Sequence, residues 1–444
     1  MRIALPIMIQ NGVTNFVGLL DNIMVGRIGT NPMSGVAIVN QLLMVWNLCL
    51  FGGMSGISIF TAQFHGKEDE EGVRHTFRLL FMLGIVLFAA GILIYTVFRD
   101  PLVRLYLNEE GTAAEETLAA AHSYLQYMYF GLLPFAMAQV YSSVLRATGE
   151  TKVPMQGSLL AVSVNLVGNY ILIFGKFGLP AMGVAGAALA TVLSRIAEML
   201  YLVLWTHRNT EKNPYILNAY ASMKVPALLL KNCFIKGMPL LINETLWSAA
   251  IAFMMQIYSR RGLNVIAAMN ISQTISNLFS VVFMSMGISI GIIMGHELGA
   301  GKFNEVKSHA NALSLFAVGM CLFTGTALFL CAGLFPAIYN TSAEVRELAA
   351  GLIRIVAVTS PIHAYANATY FTIRSGGKTV ITFLFDSCFS WTVSVPVAFV
   401  LVSYTDLPVL TVYLCVMLAD LLKCIGGYIL VQKGVWINDI TQLA

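Results

Sequence analysis

Two acidic side chains of this 444-residue chain lie inside long apolar segments, where a charge is costly. Asp21 lies in the first such segment, with no basic residue within a helical turn, and Glu244 lies in a later one, beside Asn243. An ionisable residue at membrane depth costs about 2.5–3.5 kcal/mol on insertion scales, which makes it a functional candidate. Burial disfavours the charged form of a carboxylate, so either acid could bind and release a proton. With amide and hydroxyl oxygens beside it, the same group could instead bind Na⁺, or simply serve as a structural hydrogen-bond acceptor.

Amide side chains could complete a site around the first acid. Asn165 and Asn169 are four residues apart, so on a helix they face the same side. An amide is costly in lipid without a partner, and we expect the pair either to bind Asp21 or to join two helices. His363 is also intramembrane, and its sequence context favours a packing residue over a proton relay.

Three further acids have structural explanations. Asp420 lies three residues before Lys423, a spacing that lets the pair neutralise itself on one helix face. Glu198 and Arg195 have the same separation. Because Arg195 and Lys423 occupy matching positions in the two halves of the chain, we expect them to share an architectural role. Asp386 lies among phenylalanines near a basic loop, and it remains a candidate for either function or structure.

The composition excludes a soluble protein. Hydrophobic residues make up 57% of the chain and charged residues 11%, against about 25% charged in a typical soluble domain. Most of the surface must therefore face the lipid bilayer. The net charge of +4 is too small and too dispersed for nucleic-acid binding.

Motifs for ATP use or for enzyme chemistry are absent from the sequence. It has no phosphate-binding loop, no HExxH, no GxSxG and no dinucleotide fingerprint. The seven cysteines show no metal-ligand spacing. We expect neither an enzyme nor a cofactor or metal, and an ion gradient or the substrate's own gradient as the energy source. The first residues do not resemble a cleavable signal peptide.

The apolar residues form membrane spans. A span needs about 20 predominantly apolar residues, and the sequence contains about twelve such segments. They run roughly over residues 3–25, 34–62, 79–98, 118–142, 154–175, 183–206, 237–258, 264–295, 308–334, 346–372, 379–403 and 407–431.

The chain reads as one membrane unit repeated. Ala4 to Gly29 aligns with Gly237 to Gly262, and Val144 to Val153 aligns with Thr372 to Ile381. The tetrapeptide GISI also occurs in both halves, starting at Gly56 and at Gly287. Repeats of this size, with an even number of spans in each, are typical of secondary transporters. We predict a first lobe over residues 1–206, a linker over 207–236 and a second lobe over 237–444.

The alignment places the two favoured acids at different depths. Asp21 falls on Met254 and Glu244 falls on Asn11. The acids would therefore differ by about ten residues along equivalent helices, or roughly 15 Å. We expect the two lobes to have specialised.

The orientation follows from the basic residues. One set of loops holds an excess of Lys and Arg of about two to one over the other, which places it in the cytoplasm. Both termini and the linker are then cytoplasmic. Ser222 to Gly237 mixes Leu and Ile with Lys, which favours a short helix on the inner leaflet.

These motifs resemble the multidrug and toxic compound extrusion (MATE) transporters over nearly the whole chain. The matching stretches are DNIMVGRIG in span 1, LRATGETKVP after span 4, VNLVGNYILIFGKFGLPAMGVAGAALATVLS across spans 5 and 6, KGMP…NE in span 7 and HELGAGKFNEV after span 8. The resemblance implies an all-α integral membrane fold of twelve helices in two pseudo-symmetric six-helix lobes that form a V. It also implies export of drugs or metabolites in exchange for H⁺ or Na⁺.

The resemblance carries over to individual residues. Asp21 matches the span 1 acid of the family, and Glu244 matches the span 7 acid of NorM-type members. Asn169 stands where the DinF-type branch has an aspartate, which argues against a DinF-type site. Span 10 reads PIHAYANATYF, without the acid that some members carry there. This departure argues against Na⁺ coordination by three carboxylates.

The sequence thus predicts a monomeric multidrug efflux antiporter of the cytoplasmic membrane, with cationic amphipathic small molecules as substrates. The predicted ion-coupling and substrate-binding residues are Asp21, Asn165, Asn169, Asn243, Glu244 and Asp386. The alternative is a flippase for lipid-linked saccharides, which related folds perform.

Overall fold

The computed structural model describes residues 1–106 and 112–443, and its regular structure there is helical. Eleven helices are long and apolar enough to cross a membrane. The remaining long helix, Ala4–Gly26, has 23 residues, which also suffices for a span. The predicted all-α membrane fold is confirmed. The twelve helices are α1 Ala4–Gly26, α2 Thr30–Gly66, α3 Glu70–Val97, α4 Thr112–Ala147, α5 Lys152–Phe174, α6 Gly183–Arg208, α7 Ala227–Ser259, α8 Leu263–Gly299, α9 Val306–Cys331, α10 Ala343–Ser375, α11 Thr379–Tyr404 and α12 Val409–Lys433.

The helices repeat in two pseudo-symmetric lobes of six. Helices α2 and α8 each have 37 residues. Each is preceded by a glycine with positive φ, 147° at Gly29 and 115° at Gly262, which an L side chain rarely adopts. The first residues of α2 and α8 therefore agree with the sequence alignment in which Gly29 matches Gly262. The GISI match at Gly56 and Gly287 is two residues out of that register and does not mark equivalent positions.

Each lobe is built around one long central helix. In the first lobe α4 packs against α2 and α6, while α5 packs against α1 and α6. In the second lobe α10 packs against α8, α9 and α12, while α11 packs against α7 and α12. The fourth helix of each half therefore has the same neighbours, α2 and α6 or α8 and α12. The repeat seen in the sequence is a repeat of packing.

The connection between the lobes is shorter than predicted. Helix α7 already begins at Ala227, so the stretch from Ser222 to Gly237 forms no separate surface helix. Apolar residues continue the helix from Ala227, and their periodic run has no break before Pro239. Residues 209–226 form the connection itself, and Arg78 of α3 fixes it to the first lobe by donating to the carbonyls of Asn218 and Ala219 at 3.0 and 2.8 Å.

The two lobes contact each other at one end of the bundle, which we call the joined end. Glycines permit the close approach. A Cβ atom added at Gly66 would collide with the backbone of His296, and one added at Gly299 would collide with the backbone of Gln63. The two contacts are related by the repeat, because Gly66 corresponds to Gly299 and Gln63 to His296. The opposite end, where α1 ends and α2 begins, is the far end.

Side chains add hydrogen bonds at the joined end. Gln63 of α2 is fully buried and donates to the carbonyl of Ser375 at 2.9 Å. In the equivalent position His296 of α8 has its Nε2 atom 2.5 Å from the carbonyl of Ala147. Ala147 and Ser375 are themselves repeat counterparts at the ends of α4 and α10. The joined end is thus a two-fold arrangement with different side chains on its two sides.

The segment after α12 strengthens only one of those sides. The Gln63 amide also donates to the carbonyl of Asn438 at 3.1 Å, and its oxygen accepts from the backbone N–H of Ile440 at 2.8 Å. Lys67 donates to the hydroxyl of Thr441 at 3.1 Å. The C-terminal segment of the second lobe therefore binds directly to α2 of the first.

Candidate functional site

Asp21 lies in the far-end half of α1, and two amides of α5 hold it. The Asn169 amide donates to its Oδ1 atom at 2.6 Å. When the nitrogen of the Asn165 amide faces the acid, it reaches Oδ1 and Oδ2 at 2.7 and 3.1 Å. The oxygen of Asn165 then accepts from Thr191 of α6 at 3.3 Å. The prediction that the asparagine pair binds Asp21 is confirmed, and the one-turn spacing on α5 explains why both amides reach the same carboxylate.

A buried arginine lies beyond these amides. Arg195 of α6 places its guanidinium 4.0 Å above the centre of the Phe135 ring, a favourable position for a cation. It acts on both Asp21 and Glu198 through space. The predicted direct pairing of Arg195 with Glu198 is wrong, because Glu198 accepts from the hydroxyl of Ser158 at 2.8 Å instead.

An amide from the first helix of each lobe binds the fifth helix. In the first lobe Gln10 of α1 donates to Ser158 of α5 at 2.7 Å. In the second lobe Asn243 of α7 donates to Asp386 of α11 at 3.1 Å. Gln10 corresponds to Asn243 in the register of Pro6 and Pro239, and Ser158 corresponds to Asp386 in the register of Val144 and Thr372. The second lobe therefore has a carboxylate where the first has a hydroxyl.

Asp386 belongs to a larger charged network in the second lobe. The Lys423 ammonium of α12 lies 3.2 Å from Asp386 Oδ1 and 3.7 Å from Asp420 Oδ1. His363 Nδ1 of α10 lies 3.1 Å from the other oxygen of Asp420. The predicted pairing of Asp420 with Lys423 is confirmed. His363 has the polar partner that a satisfied packing group needs, namely the Asp420 carboxylate.

We call His363, Asp386, Asp420, Lys423 and Asn243 the polar layer. Along each helix it lies between apolar clusters. One cluster of buried apolar side chains, which includes Met294 and Val431, lies nearer the joined end. A second cluster, which includes Ala250 and Val416, lies nearer the far end. The layer thus crosses the middle of the second lobe, away from both helix ends.

The backbone of α11 changes where it carries Asp386. Residues Leu384–Cys388 and Ser390–Ser394 form π-helical turns within the helix. Such turns are rare and occur frequently at functional sites. Here Ser387 donates to the Asn243 side-chain oxygen at 2.7 Å and its backbone N–H donates to the same atom at 3.3 Å. The wider turn lets two successive residues, Asp386 and Ser387, bind one amide of α7.

Glu244 differs from the other acids in its surroundings. It is half-buried, and it makes no hydrogen bond to another described residue. The charged groups that act on it through space are Arg374 and Asp386. Its repeat counterpart Asn11 crosses to the other lobe and donates to Ser285 of α8 at 3.1 Å.

The helix face that carries Glu244 points to the first lobe. Gly237 and Leu241 of α7 contact Gly56 and Gly52 of α2. Residues at i, i+4 and i+7 share one helix face, so Glu244 comes next after Leu241 in the direction of the far end. Gly52 corresponds to Ser285, the partner of Asn11, but it has no side chain to bind an acid. The carboxylate of Glu244 is therefore available where the lobes begin to separate.

The predicted site residues thus form two groups. Asp21, Asn165 and Asn169 lie together in the first lobe, while Asn243 and Asp386 lie together in the second with Glu244 beside them. Sequence reasoning missed Thr191, Ser387 and the contact of His363 with Asp420. Ser387 adjoins a candidate acid, which was a usable signal. Among the described residues no group of three or more His, Cys, Asp or Glu side chains could hold a metal ion.

Comparisons with known proteins agree on one family. The profile of the MatE family matches residues 6–171 and 239–400. A probable multidrug resistance protein NorM of Thermotoga maritima is 26% identical over 95% of this chain and 89% of its own length. A probable multidrug resistance protein, YoeA of Bacillus subtilis, is 26% identical over 98% of this chain and 94% of its own.

Solved structures show the same fold. The outward-facing conformation of a multidrug resistance MATE family transporter of the MOP superfamily superposes with a TM-score of 0.88 at 20% identity, covering 100% of this chain and 95% of that one. A single-residue mutant of the Vibrio cholerae MATE transporter VcmN superposes with a TM-score of 0.86 at 16% identity, covering 98% of this chain and 95% of that one.

Proposed function

Because the chain belongs to the MatE family of multidrug efflux transporters, we propose that it exports cationic amphipathic small molecules by antiport against H⁺ or Na⁺. The protein acts as a monomer in the cytoplasmic membrane with both termini in the cytoplasm. Asp21 and Glu244 carry the ion coupling and the charge recognition. Asn165, Asn169, Asn243 and Asp386 position these acids or share their charge.

The observation that carries this proposal is the Asp21 carboxylate held between two amides of α5. The two amide donors favour the ionised carboxylate but bring no positive charge, so its negative charge remains available to a cation, whereas a direct ion pair would neutralise it. Arg195 acts on it only through space. Such a group can gain and lose a cation during each transport cycle. A residue with a purely structural role would be better stabilised by a direct partner of opposite charge.

The joined end supplies a pivot for alternating access. The lobes contact through α1, α2, α7 and α8 near residues 52–66, 233–241 and 285–299. Because the lobes are joined there, we expect the space between them to open toward the far end, which is the outside in the orientation that the Lys and Arg distribution favours. Rocking of the lobes about these contacts would open the other side.

The surroundings of the intramembrane cations argue against the flippase alternative. Export of a lipid-linked saccharide requires free cationic groups for its phosphates. Arg195 lies against the Phe135 ring, and Lys423 is paired with Asp386. The Arg374 guanidinium lies 5.2 Å from the centre of the Phe371 ring. These cations are already engaged, so they are poor candidates for binding phosphate.

The experiment that tests the proposal compares Asp21→Asn with wild-type protein in proteoliposomes. The isosteric change keeps the shape and removes the titratable charge. We expect efflux of a fluorescent organic cation under an imposed pH or Na⁺ gradient to fall by about 10- to 100-fold, the loss that corresponds to one charge-assisted interaction.

The control is Asp406→Asn, because Asp406 is an exposed acid in the loop between α11 and α12. It should transport at the wild-type rate. Wild-type efflux from well-folded Asp21→Asn protein would refute the role of Asp21. Failure of both gradients to drive any substrate through the wild-type protein would refute antiport itself.

A further inference from the structure

The polar layer of the second lobe contains its own cation. Lys423 is buried, with 9% of its side chain exposed, and its ammonium lies between carboxylate oxygens of α11 and of α12. It also lies 5.1 Å from the centre of the Phe389 ring. A cation held by two carboxylates and an aromatic ring is the environment that a bound metal ion or organic cation would need. Here the protein fills that position with a side chain.

The charges of the layer balance only with one additional proton. Asp386 and Asp420 are two potential anions, and Lys423 is one cation. His363 becomes the second cation only when it is protonated. Buried charges are stable when they are paired. The layer is neutral when a proton is shared between His363 and Asp420, and it has one unpaired negative charge when that proton is absent.

Other ionisable groups do not supply the missing charge. Arg374 forms no ion pair with Asp386 or Asp420 in the described part of the chain, and it acts on Glu244 only through space. The ring of Phe283 on α8 packs 6.5 Å from that of His363 and carries no charge. The ionisable groups that face the layer are Glu244 on α7, His363, Tyr370 and Arg374 on α10, Asp386 on α11, and Asp420, Lys423 and Cys424 on α12.

A metal ion cannot share this position. The Lys423 ammonium already occupies the space between the two carboxylates, and a second cation within about 4 Å would be repelled by several kcal/mol at an effective dielectric constant near 20. Na⁺ also needs several oxygen ligands, and Lys423 and His363 engage one oxygen of Asp386 and both of Asp420. Of the four carboxylate oxygens, one remains, and Asn243 binds it.

We infer that the polar layer is a proton site, and that Lys423 is the tethered cation that excludes Na⁺ from the second lobe. This inference rests on the proposed antiport function and assigns H⁺ as the coupling ion of this lobe. The proton binds at the contact between His363 Nδ1 and Asp420 Oδ2. Lys423 is a specificity-determining residue, since it acts by holding a position that another cation would otherwise take.

The first test measures Na⁺ binding directly, without transport. Full-length protein in detergent is heated in NaCl or in choline chloride at equal ionic strength, and its unfolding is followed by tryptophan fluorescence. We expect the same Tm in both salts for wild-type protein. Lys423→Gln should show a saturable rise in Tm with Na⁺ of about 2 °C or more, because the vacated position now binds the ion.

The matched control is Lys433→Gln, on the same helix but exposed at its end. It should behave as the wild type does. A Na⁺-dependent rise in Tm that persists in Asp21→Asn protein, whose first lobe has lost its carboxylate, overturns the inference, and so does a folded Lys423→Gln protein that does not respond to Na⁺. If Lys423→Gln does not fold, the wild-type titration decides together with Asp420→Asn, which keeps Lys423 and should remain indifferent to Na⁺.

The second test concerns the proton. Efflux from proteoliposomes should be driven by a pH gradient and not by a Na⁺ gradient, and His363→Gln should weaken its dependence on pH, because the proton then loses one of its two partners. Transport driven by Na⁺ alone would overturn the inference while leaving antiport intact. An absence of transport under both gradients would refute the proposed function, and the Tm measurement would still decide the role of Lys423.

Discussion

Single carboxylates differ in this protein by the partners around them. Asp21 accepts from two amides, Asp386 and Asp420 share a lysine, and Glu244 makes no hydrogen bond to another described residue. In the first arrangement the carboxylate has hydrogen-bond donors but no cationic partner, and in the second the charges balance only when His363 carries a proton. The third leaves an acid free to bind a ligand from the space between the lobes.

Removing the charge of Glu244 should therefore discriminate between substrates. In detergent, Glu244→Gln should bind a monovalent organic cation roughly tenfold more weakly or worse, because a carboxylate near 4 Å attracts a cation by several kcal/mol in a partly dry cavity. A neutral substrate of similar size should bind as before. Glu347→Gln, an exposed acid early in α10, is the control. An equal loss of affinity for both substrates would mean that Glu244 shapes the binding site and does not recognise the charge of the substrate.

Residue-level predictions from the sequence succeeded where local spacing decides the geometry. Asn165 and Asn169 share a face of α5 because they are four residues apart, and Asp420 reaches Lys423 because they are three apart. The contact between His363 and Asp420 joins α10 to α12, and no local pattern indicates it. Glu198 was wrongly paired with Arg195 because Ser158, on another helix, is a closer partner.

At the scale of helices, glycines determine how closely the lobes approach. At the crossing of α2 and α7, a Cβ atom added at Gly56 would collide with the backbone of Gly237. The twelve helices could be predicted from apolar run lengths. The start of α7 at Ala227 could not, because a mixed Leu and Lys stretch suits either a surface helix or the first turns of a span. The π-helical turns of α11 have no signature in the hydropathy pattern.

Gly56→Ala should force these two helices apart. Overpacking of this kind costs about 1–3 kcal/mol, and we expect a lower Tm in detergent together with reduced transport. Gly319→Ala in α9 is the control, because a Cβ atom there meets no other atom within 4 Å. An unchanged Tm for Gly56→Ala would show that the backbones can separate without cost.

At the scale of the whole molecule, two lobes are fastened at one end. The buried Gln63 makes three hydrogen bonds to backbone groups of the second lobe, with Ser375, Asn438 and Ile440. Those groups lie at the end of α10 and in the segment after α12. The duplication predicted two lobes. It could not predict this fastening, because in the described part of the chain the segment after α6 makes no hydrogen bond to His296, whereas the segment after α12 binds Gln63.

Gln63→Ala should loosen the joined end. Each buried backbone group that loses its partner costs about 1–3 kcal/mol. In a protein whose only cysteine is Cys233, a buried residue of α7 next to Gly56, maleimide labelling should become about tenfold faster or more. Gln432→Ala is the control, because it removes an amide bonded to Asn311 within one lobe. Equal labelling rates would show that the C-terminal segment does not hold the lobes together.

The orientation in the membrane can be tested at the same scale. A cysteine introduced at Ala221, exposed in the connection between the lobes, should resist an impermeant thiol reagent applied to intact cells. A cysteine introduced at Asp406, in the loop between α11 and α12, should react. The physical basis is the excess of Lys and Arg at the joined end. The reverse pattern of labelling would place the far end in the cytoplasm.

The unequal fastening of the joined end has a consequence for the path of opening. If the two related contacts had identical residues, the two lobes would separate symmetrically. Here Gln63 makes three hydrogen bonds across its contact, and His296 makes one across the other, to Ala147. We expect separation to begin at the weaker contact, that of His296. One lobe would then rotate about the stronger contact, that of Gln63. The movement is then a twist with a fixed handedness.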